Sequence, residues 1–256
     1  MAGASELVET VVQGIERQDP AILGVLIAII VGFITVLILI VKSRSQNKRQ
    51  GVLLLGICDA GKTLIFSRLV HKGFKETYTS IKANSGEYAV PEKNKNLRVI
   101  DLPGHERIRG QLLDEFKSLA RGIVFVVDSG TLQKEVKEVA EYLYMLLSDR
   151  TVSSNAPPIL ILCNKQDLTL SKGAKVIRKQ LEKEMNTLRI TRAAALQGVG
   201  DTANNNAYLG KRDKDFDFAD LKPLKVDFAE CSALGEGKST DNPQMDDFYS
   251  WISNIA

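Results

Sequence analysis

Residues 51–63, Gly-Val-Leu-Leu-Leu-Gly-Ile-Cys-Asp-Ala-Gly-Lys-Thr, constrain this chain more than any other stretch. The apolar run Val52–Leu55 reads as a short buried strand that breaks at Gly56 and gives way to a helix beginning near Gly61. Gly56, Gly61, Lys62 and Thr63 fit G-x-x-x-x-G-K-[ST], a loop whose successive backbone N–H groups converge on a phosphate at a helix N-terminus. In that pattern Lys62 reaches the β- and γ-phosphates and the Thr63 hydroxyl sits on Mg²⁺. A glycine-rich turn arising by chance is the competing reading. The strand before the loop and the apolar positions Leu64, Ile65 and Leu69 after it decide for a nucleotide site.

A second stretch is as unusual. Residues 21–41 carry no charge and are packed with Ile, Leu and Val. At about 1.5 Å per residue they reach roughly 31 Å, the thickness of a bilayer's hydrocarbon core. A cleaved signal peptide has a basic start and a shorter apolar region. Here the flank before the run is acidic (Glu6, Glu9, Glu16 and Asp19 against Arg17) and the flank after it is basic (Lys42, Arg44, Lys48, Arg49). That asymmetry predicts a single-pass transmembrane helix over 21–41, with residues 42 onward in the cytosol and 1–20 as a short tail across the membrane. Residues 42–50 form a basic tether reaching at most about 30 Å, which keeps the domain 51–256 near the bilayer. Its charge suits anionic headgroups, and a plain stop-transfer role explains it equally well.

A net charge of +3 with 25% charged residues gives no case for direct nucleic-acid binding. Cys58, Cys163 and Cys231 lack metal-ligand spacing and suit reduced thiols in a cytosolic domain.

Beyond the loop, a helix is predicted to about His71, then a polar loop over 73–86 and a β-hairpin from Glu87–Val90 and Leu97–Asp101. The hairpin ends in Asp101-Leu-Pro-Gly104. In nucleotide switches, D-x-x-G places a carboxylate in the Mg²⁺ shell and a glycine N–H on the γ-phosphate. Gly122–Asp128 and Ile159–Cys163 are apolar runs of the kind buried on both faces of a parallel sheet, with a helix over Leu132–Leu147 between them. Asn164-Lys165-Gln166-Asp167 follows directly. N-K-x-D at a strand end reads guanine: the aspartate accepts from N1–H and the exocyclic amine, and the lysine stem packs on the ring. A further helix is predicted over Lys172–Leu188, a surface insertion over 191–222, and a last strand over Leu224–Phe228. The loop Glu230-Cys231-Ser232-Ala233 backs the base, with the Ala233 N–H donating to O6. In the final helix, Pro243–Ile255, Met245, Phe248, Trp251, Ile252 and Ile255 form a core stripe, and Trp251 has no cofactor role. The alternation predicts an α/β domain: a mostly parallel six-stranded sheet with helices on both faces.

With its motifs in this order, the domain resembles the P-loop small GTPases. Ala-Gly-Lys-Thr, Asp-Leu-Pro-Gly-His-Glu and Asn-Lys-Gln-Asp are most similar to the Arf/Sar branch. The N-terminal apolar span, the loop Gly-Ile-Cys-Asp-Ala-Gly-Lys-Thr and the late insertion resemble the β-subunit family of the signal recognition particle receptor, from Ala21 onward. That resemblance implies a single-pass endoplasmic reticulum membrane protein with a lumenal tail and a cytosolic GTPase domain. It implies GTP and Mg²⁺ as cofactors. Its partners would be the receptor's α-subunit through the switch regions and the lipid bilayer through residues 21–41, with the translocon or ribosome as further ones.

Carried over residue by residue, Gly56, Ile57, Cys58, Asp59, Ala60, Gly61, Lys62, Thr63 and Leu64 would wrap the phosphates. Thr77, Tyr78, Thr79 and Ser80 would form the first switch, with Thr79 or Ser80 joining Thr63 and Asp101 around the metal. Gly104 would sense the γ-phosphate, while Asn164, Lys165, Asp167, Ser232 and Ala233 would hold guanine. His105 stands where many small GTPases place a water-orienting glutamine, implying a water-positioning role and slow hydrolysis. Cys58 occupies a position where a side chain crowds the γ-phosphate. Both favour prolonged GTP occupancy. The alternative is a membrane-anchored Arf/Sar-like trafficking GTPase that cycles to recruit coat or tether proteins. A permanent anchor argues against it, because such a protein must leave the membrane. A nucleotide-stabilised protein without switching is a third option, against which the two switch segments argue.

Overall fold

In the computed structural model, residues 20–47, 49–77, 80, 82–91, 93, 95–197, 208–235 and 242–256 are described. The chain divides into two units, Met1–Lys48 and Arg49–Ala256.

The first unit holds α1, Pro20–Asn47, a helix of 28 residues. Its side chains over 27–40 are all exposed, Phe33 at 69% and Leu39 at 65% among them. An apolar helix without a polar stripe has no face to turn to water. Among the described residues no helix is long and apolar enough to cross a membrane.

The second unit runs β1 (Gly51–Leu55), α2 (Lys62–His71), β2 (Asn84–Val90), β3 (Lys95–Asp101), α3 (Glu106–Phe116), β4 (Ala120–Asp128), α4 (Leu132–Ser148), α5 (Arg150–Asn155), β5 (Ile159–Asn164), α6 (Ala174–Gln197), β6 (Val226–Glu230) and α7 (Asp246–Ile255). The strands form one six-stranded sheet in the order β2-β3-β1-β4-β5-β6. The β2–β3 pair is antiparallel and every other pair is parallel.

The period of two along each strand sorts the core. Leu53, Leu55, Ile123, Phe125, Ile159 and Ile161 pack on one face, with Leu143 of α4 and Leu181 of α6. Val52, Leu54, Val124, Val126, Leu160 and Leu162 pack on the other, with Ile65 of α2 and Phe248 and Ile252 of α7. Full burial of such a side chain stabilises by about 1.5–3 kcal/mol, so a one-residue slip in any central strand would forfeit several contacts at once. Strand order reverses at β1, which lies between β3 and β4. Open α/β sheets bind ligands in the crevice at the carboxyl ends beside such a reversal.

The late segment departs from the expectation of a surface insertion. The helix predicted to Leu188 continues to Gln197. Downstream, Leu209, Phe216, Phe218 and Leu221 enter the core. The buried Arg189 of α6 makes this possible by donating to the carbonyls of Leu209 and Lys211, which a buried loop must otherwise leave unpaired. Residues 198–207 lie outside the described residues. Neither α3 nor α5 was legible as a helix. α3 starts in a polar sequence capped by His105, and α5 is nucleated by the Asp149 carboxylate, which accepts from the N–H groups of Thr151 and Val152.

Candidate functional site

The carboxyl ends of β1, β3 and β5 deliver their loops to one pocket of about 280 Å³. Cys58, Asp59, Gly61, Lys62, Thr63, Leu64, Thr77, Ser80, Pro103, Gly104 and Lys165 line it.

The 56–63 loop takes the shape its glycines permit. Gly56 has φ +137° and lies so close to β4 that a Cβ would collide with the Val126 carbonyl. Gly61, at φ +94°, leaves no room for a Cβ beside the Asn164 side-chain amide. α2 therefore starts under the pocket with its first N–H groups unpaired by the helix itself. Lys62 is 6% exposed and donates from Nζ to the Ile57 carbonyl at 2.6 Å.

Beside the pocket, the Lys62 ammonium and the Asp101 carboxyl are both withdrawn from solvent. Asp101 is fully buried; its Oδ2 accepts from Thr63 Oγ1 at 2.8 Å and from Asn84 Nδ2 at 3.4 Å. Ser80 Oγ lies 3.2 Å from Thr63 Oγ1. Burial raises the Asp101 carboxyl above its usual range, against the opposing pull of Thr63, Lys62 and Asn84. Burial likewise lowers Lys62 below the usual lysine value, with Asp101, Cys58 and Asp59 working the other way. Asp101 Oδ1 is buried and has no hydrogen-bond partner among the described residues. An orphaned carboxylate oxygen beside two hydroxyls is a hard-oxygen donor set, and it fits Mg²⁺.

The 101–104 segment lies against the 56–63 loop. A Cβ on Gly104 would fall 2.5 Å from the Gly56 carbonyl oxygen and 2.6 Å from the Cys58 nitrogen, so only glycine allows this approach. Next to it, His105 is exposed and caps α3, its Nδ1 accepting from the Arg107 N–H at 3.3 Å. It is not among the residues lining the pocket. Thr77 and Ser80 do line it, whereas Tyr78 and Thr79 lie outside the described residues.

On the base side, Asn164 is a buried cross-link. Its Nδ2 donates to the Ala60 carbonyl at 2.9 Å, and its Oδ1 accepts from the Ala233 N–H at 3.1 Å. Lys165, at φ +66°, donates to Asp128 Oδ2 at 2.6 Å. Asp167 Oδ1 accepts from Ser232 Oγ at 2.5 Å, and that hydroxyl in turn accepts from the Gly235 N–H. Every described residue assigned to phosphate, metal or base thus falls in this crevice or in the loops bonded to it. The sequence motifs do not assign roles to Asp128, Pro103, Asn84 or Arg68. Asp128 ends β4 in register with Asn164 at the end of β5, which brings it to Lys165.

Comparison with known proteins points the same way. Residues 47–226 match the family model described as the signal recognition particle receptor beta subunit. The chain is 45% identical over 245 residues to the signal recognition particle receptor subunit beta of Mus musculus, covering 95% of this chain and 91% of that protein. It is similar to a chain in the structure of the mammalian SRP receptor, with a TM-score of 0.70 and 47% identity over 80% of this chain and 100% of that one. The SRb-GTP/SRX complex from Chaetomium thermophilum contains a chain with a TM-score of 0.64, covering 80% of this chain and 97% of that one; at 22% identity this supports the fold alone.

Proposed function

This chain belongs to the signal recognition particle receptor beta subunit family, and from that premise we propose that it is the GTP-binding, membrane-anchored subunit holding the receptor's alpha subunit at the endoplasmic reticulum membrane. The observation that carries the nucleotide part is the convergence of Lys62, Thr63, Gly104 and Lys165 on one pocket. Lys62 supplies positive charge where the phosphates sit, and the loop N–H groups from Gly56 to Leu64 bind their oxygens. Thr63, Ser80 and Asp101 hold Mg²⁺, with Thr79 as the alternative hydroxyl. When bound, that ion neutralises phosphate charge. Asp167 and Ala233 select guanine, and Lys165 lies along the base while Asp128 holds its ammonium.

Thr77, Ser80, Pro103 and Gly104 border the γ-phosphate side of the pocket, and the alpha subunit reads their arrangement. His105 has one ring nitrogen committed to capping α3, which suits slow hydrolysis and a long-lived complex. The apolar residues 21–41 anchor the chain, with residues 42–256 in the cytosol. An apolar helix whose described side chains are all exposed supports this, because a lipid environment removes that exposure.

One paired experiment tests both halves. Protease added to sealed microsomes should digest the large domain and leave a small protected fragment; protection of the whole chain would reverse the orientation. Capture of the alpha subunit by GTP-loaded, GDP-loaded and Thr63→Ala protein should succeed with GTP only. Equal capture in all three would favour a static scaffold.

A further inference from the structure

The loop 232–235 is fastened to the N-K-x-D segment through Asn164 and Asp167, and separately to α2 through a residue outside every motif. Arg68 is 8% exposed. Its Nε donates to the Ala233 carbonyl at 3.1 Å and its Nη2 to the Leu234 carbonyl at 3.4 Å. The same guanidinium lies 5.7 Å from the centroid of the Phe74 ring, at the entry to the first switch. An arginine taken out of water this far needs acceptors, and here it takes main-chain carbonyls from two successive peptide planes.

We propose that Arg68 is a positioning residue for guanine recognition, fixing the main chain at 233–234 so that the Ala233 N–H, which donates to Asn164 Oδ1, is also shared with the 6-oxygen of a bound purine. This rests on the guanine reading above. The amide of Ala233 belongs to the peptide plane next to those Arg68 grips, so holding both carbonyls limits rotation of that amide. The forked guanidinium reaches two carbonyls in one fixed geometry, whereas an ammonium is a compact donor that does not reproduce the fork. Arg68 follows Lys62 within α2, so the helix that starts at the phosphates also sets the base-reading loop.

The test uses the full chain in detergent micelles, with affinities measured for GTP, 6-thio-GTP and ATP. The thio analogue keeps N1–H and the exocyclic amine and changes only the acceptor at position 6. Wild-type protein should prefer GTP to both analogues. Arg68→Lys should weaken GTP about tenfold and 6-thio-GTP much less, and Arg68→Met should remove most of the preference between them. As a control, Arg189→Met removes another buried arginine that donates to main-chain carbonyls. It should lower the melting temperature and leave the GTP to 6-thio-GTP ratio unchanged. If both Arg68 variants lose the two guanine nucleotides equally, or retain the wild-type ratio, the positioning role is wrong. Wild-type protein that prefers GTP to ATP but not to 6-thio-GTP would also overturn it. Absence of any GTP preference over ATP would sink the guanine reading itself and this inference with it.

Discussion

The Thr63 hydroxyl donates to the Asp101 carboxylate at 2.8 Å, joining the start of α2 to the last residue of β3. The bond ties the 56–63 loop to the 101–104 segment, while Asp101 Oδ1 is buried with no hydrogen-bond partner among the described residues. Thr63→Ala should cost the nucleotide-free protein about 1–2 kcal/mol, because the carboxylate then keeps only the long contact from Asn84. It should also abolish the gain in GTP affinity that Mg²⁺ confers, whereas Thr63→Ser should retain it. Titrations with and without the metal decide this; an undiminished Mg²⁺ effect in the alanine variant would remove Thr63 from the metal site.

Lys62 gives a pH prediction. Burial lowers its folded-state pKa below the ordinary lysine value of about 10.4. Between those two values the unfolded chain binds more protons, so this residue's contribution to stability rises with pH through that window and is least favourable below it. Wild-type protein should therefore gain stability relative to Lys62→Met as pH rises toward 10, because the methionine variant has no such proton to lose. GTP binding by the variant should fall at least about a hundredfold. Calorimetry on both proteins between about pH 7 and 10 checks the sign; a stability difference that stays flat or moves the other way would contradict it.

The thiols differ by environment. Burial pushes Cys163 up to about 12 and Cys231 higher still, while Cys58 is partly exposed on the pocket wall. The thiolate is the reactive form, so iodoacetamide at pH 8 should alkylate Cys58 quickly and leave the other two untouched in the native protein. Saturating GTP should slow the reaction at Cys58 about tenfold or more by covering that wall. Peptide mass mapping with and without nucleotide reads this directly, and labelling of Cys231 at a comparable rate would mean that the 232–235 loop opens readily.

Most of this crevice was legible because its chemistry is local in sequence. Gly56, Gly61, Lys62 and Thr63 share one turn, and Asn164, Lys165 and Asp167 share another, each preceded by an apolar strand that fixes where the turn points. Arg68 and Asp128 escaped for the opposite reason. Each acts on a partner distant in the chain, and an arginine in an amphipathic helix or an aspartate at a strand end is ordinary until the fold supplies the partner. The late segment was misjudged through its composition. Polar residues around 211–215 suggested exposure, while Phe216 and Phe218, which stack edge to face and enter the core, carried the contrary signal. Its packing also depends on Arg189, whose value as a cap for loop carbonyls cannot be read from spacing.

Gly104 offers the sharpest test of coupling between phosphate loop and second switch. The atoms that a Cβ there would meet are backbone atoms of 56–58, which cannot move aside as a flexible side chain can. Gly104→Ala must therefore push the 101–104 segment off the loop or prevent its seating. GTP should lose affinity about tenfold or more, GDP should change less than about threefold, and alpha-subunit capture should cease to depend on the nucleotide. Gly110→Ala is the matched control, since a Cβ there meets only the Met145 sulfur at 4.0 Å and lies within α3, where alanine favours the helix. Nucleotide titrations and captures on both variants separate a general effect of the extra methyl from a specific one. A Gly104→Ala protein that keeps the wild-type ratio of GTP to GDP affinity would show that the close approach at Gly104 does not transmit the state of the γ-phosphate.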